Sequence, residues 1–322
     1  MLFFLAVIPA VILIAYIVHK DKVEKEPFTL LLGLFILGAL TILPAGIAEY
    51  VTMEPLAKEM GEDSIGYAII TNFFIVAFAE ESMKYLVLRL RTWKHPAFNY
   101  TFDAEVYAVV VSLGFATLEN ILYVMEENTV KIAVLRGVLA VPGHAIDAVF
   151  MGYFYGRAKL YHSRGEVGAG TRDSWLALLV PMFTHGFYDF CLTIGTDTAM
   201  IVFMVYEVII TSVAIRKIHT LSKGDTPIYQ GGVVYQQPEQ AAQYTPYDQR
   251  TDLPPYNQQP DFGQQYQQYN QQPGYGQQYQ QYSQPRQTPP QPAQPQGIYC
   301  TFCGMMNQPR AKFCSQCGEK LY

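Results

Sequence analysis

Charge is scarce in this chain. Lys, Arg, Asp and Glu make up 15% of its 322 residues while half are hydrophobic, against roughly a quarter charged in an average soluble protein. That balance excludes an ordinary soluble globular class. Cysteine is scarce as well, and four of the five fall in the last 23 residues, so no disulfide framework spans the chain. The net charge of −5 comes with no basic concentration able to neutralise phosphates, and no nucleic-acid partner is expected. A HExxH pair is missing throughout, and aliphatic side chains nearly vanish from the last hundred residues. The mean hydropathy of +0.09 therefore averages two opposite compositions.

The apolar half reads as a polytopic membrane protein. A hydrocarbon core about 30 Å thick needs roughly 20 apolar residues of helix. Seven such segments are present, at about 2–18, 29–51, 65–88, 104–125, 134–156, 174–194 and 199–215. The first has no basic n-region and no small-residue cleavage site, so it is expected to be a retained helix. Lys and Arg alternate between the loops. Lys20, Lys22, Lys25, Arg89, Arg91, Lys94, Arg157, Lys159, Arg164, Arg172, Arg216, Lys217 and Lys223 fall on one side, and Lys58, Lys131 and Arg136 on the other. Basic loops stay in the cytoplasm, which predicts a multi-pass cell-membrane protein with its N-terminus outside and its C-terminal tail cytoplasmic.

Three regions follow: an all-α membrane domain over 1–218, a linker over 219–297 and a small module over 298–322. From 228 to 297 there are 23 Gln, 11 Pro and 10 Tyr, a composition that builds no core and predicts a disordered tether. The module carries Cys300-x2-Cys303-Gly304 and Cys314-x2-Cys317-Gly318. Two such pairs supply four thiolates to a tetrahedral Zn²⁺, with a glycine after each pair for the tight knuckle turn. The expectation is a zinc ribbon whose metal is structural, with the coordination shell closed by Cys300, Cys303, Cys314 and Cys317. Some 25 residues cannot fold on core burial, so metal binding and folding should be one event. Its cytosolic partner is not written in the sequence.

Ionisable residues inside apolar spans are costly and point to function by default. They gather here: Glu80, Glu81 and Lys84 in the third span, Glu119 and Asn120 in the fourth, His144 and Asp147 in the fifth, His185 and Asp189 in the sixth. Glu80 and Glu81 stand about 100° apart on a helix, so one is expected to face a site and the other to brace it. Glu119 comes out shallower than the histidines. Gly152 and Gly156 form a small-xxx-small step suited to helix packing. A carboxylate and two imidazoles in a wet cavity hydrolyse an amide by either of two routes. They hold a divalent metal that activates water, or the carboxylate deprotonates water itself while His donors stabilise the oxyanion. Buried acids also build proton paths, so a proton-coupled transporter or channel is the alternative, and a non-catalytic membrane scaffold a third.

AEESMKY at 79–85 resembles the EExxK motif, and FATLENILY at 115–123 resembles FxxxEN. With His144 and His185 following in order, residues 1 to about 215 resemble the PrsW family of intramembrane proteases, which is similar to the wider CPBP group. The resemblance implies hydrolysis of a peptide bond in a membrane-anchored, single-span substrate such as an anti-sigma factor. It also implies catalytic or metal roles for Glu80, Glu81, Glu119 and His185, with His144 a further candidate. The family is called metalloprotease, whereas the related group implies a metal-independent glutamate mechanism, and both routes stay open at this point.

Overall fold

The computed structural model describes residues 2–229, together with 298, 299, 306, 307 and 312. Ten α-helices occupy the first stretch: α1 (Leu2–Lys20), α2 (Phe28–Leu40), α3 (Ile42–Met60), α4 (Ile65–Ile69), α5 (Ala77–Thr92), α6 (Asp103–Glu127), α7 (Val130–Val138), α8 (Ala140–Ser163), α9 (Val167–Ile194) and α10 (Asp197–Lys223). A π-helical segment, Ile70–Val76, joins α4 to α5. Taken with their breaks, these helices make seven spans long and apolar enough to cross a membrane, as the hydropathy predicts. Two spans are interrupted, one at Thr41 between α2 and α3 and the other at Leu139 between α7 and α8. Helix ends follow local chemistry. Ser64, Thr129 and Thr196 accept hydrogen bonds from Tyr67, Ile132 and Ala199 amides, satisfying donors that a helix start leaves orphaned. Asn128 ends α6 in the left-handed region, φ 50°, which Asn tolerates better than most residues.

α6 is the axis of the bundle. Every residue from Asp103 to Thr117 is buried, and α1, α2, α5 and α8 surround it. Helices in lipid gain little from apolar burial against one another, so close backbone approach matters more. Glycine supplies it. A Cβ on Gly38 of α2 would stand 2.1 Å from the Val111 carbonyl oxygen, and one on Gly114 of α6 would stand 2.1 Å from that of Phe35. Gly152 and Gly156 do the same for α8, where added Cβ atoms would meet Glu105 Cα at 2.7 Å and the Thr101 oxygen at 2.6 Å; they are the packing step that their spacing predicts. The outward faces are aliphatic. Ile47, Ile201 and Val208 are about two-thirds exposed, at 66%, 65% and 66%, an apolar surface that suits lipid and not water.

The helical domain continues past residue 218. α10 runs to Lys223, after which the Asp225 carboxylate accepts from the Phe102 amide at 2.8 Å and the Thr101 hydroxyl at 3.1 Å. The Ile228 amide then donates to the Asn99 carbonyl at 2.7 Å. Residues 225–229 thus form a strap across the loop that starts α6. Among the described tail residues, Ile298–Tyr299 and Met306–Asn307 pair as a short antiparallel ribbon, with Ile298 opposite Asn307. Cys300, Cys303, Cys314, Cys317 and the Gln- and Tyr-rich stretch lie outside the described residues.

Candidate active site

Lys84 is the centre of the buried polar cluster. It lies on α5 with no exposed surface. Its ammonium donates to Glu81 Oε1 at 2.8 Å and Glu80 Oε2 at 3.1 Å, approaches His144 Nδ1 at 3.2 Å and sits 4.2 Å from the Phe115 ring centre. Both neighbouring glutamates therefore turn to the same centre, against the expectation that only one would. Lys84 follows Glu80 by four residues and Glu81 by three, so on an ideal helix it projects between them, about 40° from one and 60° from the other. One flexible ammonium collects both carboxylates.

Each histidine is held at both ring nitrogens. An ammonium cannot accept, so the Lys84 contact assigns His144 Nδ1 as acceptor and puts its proton on Nε2, which donates to Glu119 Oε2 at 2.9 Å. The Ser112 hydroxyl donates to the His144 carbonyl at 2.9 Å. His185 Nδ1 meets Glu81 Oε1 at 2.9 Å, while its Nε2 lies 3.1 Å from Asp189 Oδ2 and 3.8 Å from Glu80 Oε2. The two imidazoles stand 5.3 Å apart, nearly perpendicular at 87°. Asp189 thus orients His185 as its i, i+4 spacing predicts. Asp147 does not orient His144; it accepts from the Thr184 hydroxyl at 2.5 Å instead.

Glu119 reaches the cluster despite the depth mismatch expected from its position. The break at Leu139 is the reason. It makes His144 a first-turn neighbour of the α8 start instead of a mid-span residue, so the ring lies near the level of Glu119. Pro142 falls in that same first turn, where its missing N–H removes no helix bond. Glu119 has a second partner that local spacing hid: Arg136 of α7, read as an outer-loop charge, pairs with Glu119 Oε1 at 2.9 Å. The same guanidinium donates from Nε to Asn120 Oδ1 at 3.2 Å and lies 3.8 Å from the Tyr123 ring centre. Asn120 in turn donates to the Ala6 carbonyl at 2.9 Å, tying α6 to α1.

Backbone packing sets the approach of α9. Gly186, next to His185, faces the π-helical segment, and a Cβ there would stand 2.9 Å from Phe73 Cα and 2.7 Å from its ring. Only a glycine lets α9 close far enough for His185 to reach Glu81. π-helical turns are frequent at functional sites, and Asn72 in this one accepts from the Thr193 hydroxyl of α9 at 3.2 Å.

Glu80, Glu81, His144 and His185 each offer one ligand atom within 4.8 Å of the others, all buried. Glu81 Oε2 is buried with no hydrogen-bond partner. Two carboxylates and two imidazoles are a donor set suited to a divalent transition metal, and that orphaned oxygen is available to one. The Lys84 ammonium on the other Glu81 oxygen reduces the net negative charge such an ion would meet.

The chain matches two family models. Residues 26–214, which contain the whole cluster, match the PrsW family intramembrane metalloprotease, and residues 299–321 match a zinc-ribbon domain. Protease PrsW of Oceanobacillus iheyensis is 35% identical over 210 residues, covering 65% of this chain and 91% of that protein. Protease PrsW of Bacillus subtilis is 36% identical over 202 residues, 62% of this chain and 86% of its own length. The Clostridioides difficile protein of the same name is 29% identical over 237 residues, 72% and 96% respectively. No solved structure matches. The seven apolar spans, the buried Glu/His cluster and the match across most of the helical domain lead to one assignment: this chain is a multi-pass membrane peptidase belonging to the PrsW family of intramembrane metalloproteases, with a zinc-binding ribbon at its C-terminal end.

Proposed function

We propose that Glu80, Glu81, Glu119, His144 and His185 carry out peptide-bond hydrolysis, with Lys84 and Arg136 positioning them. The observation that carries this is the convergence of four donors from three helices within 4.8 Å, sealed among apolar spans. Glu80 is the more accessible carboxylate, its side chain 8% exposed against 0% for Glu81, and it takes the role of general base. It removes a proton from water as the oxygen attacks the scissile carbonyl carbon. His185, held at Nδ1 by Glu81, which Lys84 locks in place, turns its Nε2–H from Asp189 to the developing oxyanion. The C–N bond then breaks as Glu80 returns its proton to the leaving nitrogen. Glu119 and Arg136 keep His144 in one tautomer beside the same pocket. A divalent metal held by Glu80, Glu81, His144 and His185 supplies Lewis-acid polarisation when bound.

The substrate class we infer is a single-span membrane protein such as an anti-sigma factor, on the strength of the family motifs alone. The loop charges support a cytoplasmic tail and an outside N-terminus. Moving Arg136 out of the loop count, into the cluster, leaves that bias stronger. We further infer that Cys300, Cys303, Cys314 and Cys317 hold the zinc of the ribbon, that the chain from about 230 to 297 is a tether, and that the ribbon docks a cytosolic partner.

The test is cleavage of a co-expressed single-span substrate by Glu80→Gln and His185→Ala. Both variants should insert, and the rate normalised to protein level should fall by about 10²-fold or more, the range expected for loss of general acid–base catalysis. Undiminished cleavage by both would remove the assignment.

A further inference from the structure

A second acidic group lies at the opposite end of α6. Asp21 and Glu26 come from the α1–α2 connection and Asp103 opens α6, about 24 Å along that helix from Glu119. They are 2%, 6% and 0% exposed. One oxygen of each lies within 4.8 Å of one from each of the others. The protein satisfies only some of their oxygens. Asp103 Oδ2 takes the Asn99 and Tyr100 amides at 3.0 and 2.7 Å, and Glu26 Oε2 takes the Tyr107 hydroxyl. Three further oxygens, Asp21 Oδ1, Glu26 Oε1 and Asp103 Oδ1, are buried and accept no hydrogen bond.

Three carboxylates this close and this dry are expensive, because burial alone costs each several kcal/mol unless charge or hydrogen bonds answer it. One ammonium is near. Lys25 donates to the Val18 carbonyl at 2.8 Å and to that of Asp21. Asp225 adds a fourth carboxylate at the edge, its Oδ1 already committed to Thr101 and Phe102.

We propose that Asp21, Glu26 and Asp103 form a binding site for a hard divalent cation, separate from the Glu80 cluster, that clamps the α1–α2 connection to the start of α6. All-oxygen donors select Mg²⁺- or Ca²⁺-like ions over thiophilic ones. The three unpartnered oxygens are the ligands, and water completes the shell, since Mg²⁺ characteristically keeps several waters. The inference stands independently of the hydrolytic roles assigned above, because neither the residues nor the readout involve them.

Mn²⁺ is the probe. Full-length protein in detergent, its ribbon zinc-loaded, is titrated with Mn²⁺ while electron paramagnetic resonance follows the free ion, and Mg²⁺ is then added in excess. The parent and His185→Ala should both take up Mn²⁺ that Mg²⁺ displaces. Glu26→Gln and Asp103→Asn should weaken that uptake at least about 10-fold. Asp103 also holds the loop before α6, so Asp103→Asn could unfold it; Glu26→Gln, whose amide oxygen still accepts from Tyr107, then decides alone. Three results overturn the proposal: no Mg²⁺-displaceable uptake in the parent, unchanged uptake in a Glu26→Gln protein of parental helicity, or uptake that disappears with His185→Ala and survives Glu26→Gln.

Discussion

Arg136 pairs with Glu119 across 2.9 Å although seventeen positions separate them, because α7 folds back over the end of α6. The ion pair is mostly buried, with 17% and 16% of the two side chains exposed, and Glu119 in turn fixes His144 at 2.9 Å. Arg136→Gln should therefore leave the protein in the membrane and slow substrate cleavage by about 10-fold or more, equivalent to about 1.4 kcal/mol of barrier. Arg136→Lys should recover only part of the rate, since a single ammonium cannot serve Glu119 and Asn120 in the same planar geometry. Cleavage kinetics on both variants, normalised to protein level, check this; equal rates for all three proteins would contradict it.

Lys84 is the ammonium that bridges Glu80 and Glu81. Removing one partner of a buried ion group costs about 3–5 kcal/mol because the remaining charge is stranded. Lys84→Met should thus lower both accumulation and thermal stability. The double variant Lys84→Met/Glu81→Gln should regain much of the stability while remaining inactive. Melting curves of the purified single and double variants test the coupling, and additive losses would show that the three side chains do not act as a unit.

Gly186 and Gly33 make a matched pair of substitutions. A Cβ at Gly186 collides with Phe73 main-chain and ring atoms, whereas Gly33 has nothing within 4 Å. Gly186→Ala should cost about 1–3 kcal/mol by overpacking and reduce cleavage by moving His185 away from Glu81. Gly33→Ala should be neutral or slightly stabilising. Activity and melting temperature of the two variants, measured side by side, separate local crowding from a general intolerance of side chains at helical glycines.

Truncation should distinguish the strap from the tail beyond it. A chain ending at residue 229 keeps the Asp225 and Ile228 contacts and should retain cleavage activity, whereas one ending at 218 loses them and should be less stable. In the full chain, Cys303→Ser with Cys317→Ser should remove the ribbon zinc, read by metal analysis as one equivalent less than the parent, with cleavage retained. Loss of all cleavage in the 229 truncation would assign the ribbon a direct part in catalysis.

The spans and the identity of the polar residues were legible because lipid imposes a simple length and composition rule, and because Glu80, Glu81, Glu119, His144 and His185 stand out against apolar neighbours. Their partners were harder to read. Arg136 looks like any loop charge until the chain break at Leu139 folds α7 over α6. Convergence of both adjacent glutamates depends on Lys84, whose angular position between them follows from helix geometry but whose burial does not. The role of Gly186 depends on a neighbour more than a hundred residues earlier, Phe73, and no local pattern encodes that distance. The orientation of Asp147 toward Thr184 was likewise invisible, since i, i+3 spacing allows a contact with His144 without requiring one.

The clasp made by residues 225–229 has a mechanical meaning. Tension on the chain beyond Tyr229 arrives at Tyr229 and Ile228, which Lys159 and Ser163 of α8 hold, and at Asn99, Thr101 and Phe102, at the root of the helix that bears Glu119. A tug on the tail is thus shared between the two helices that carry Glu119 and His144.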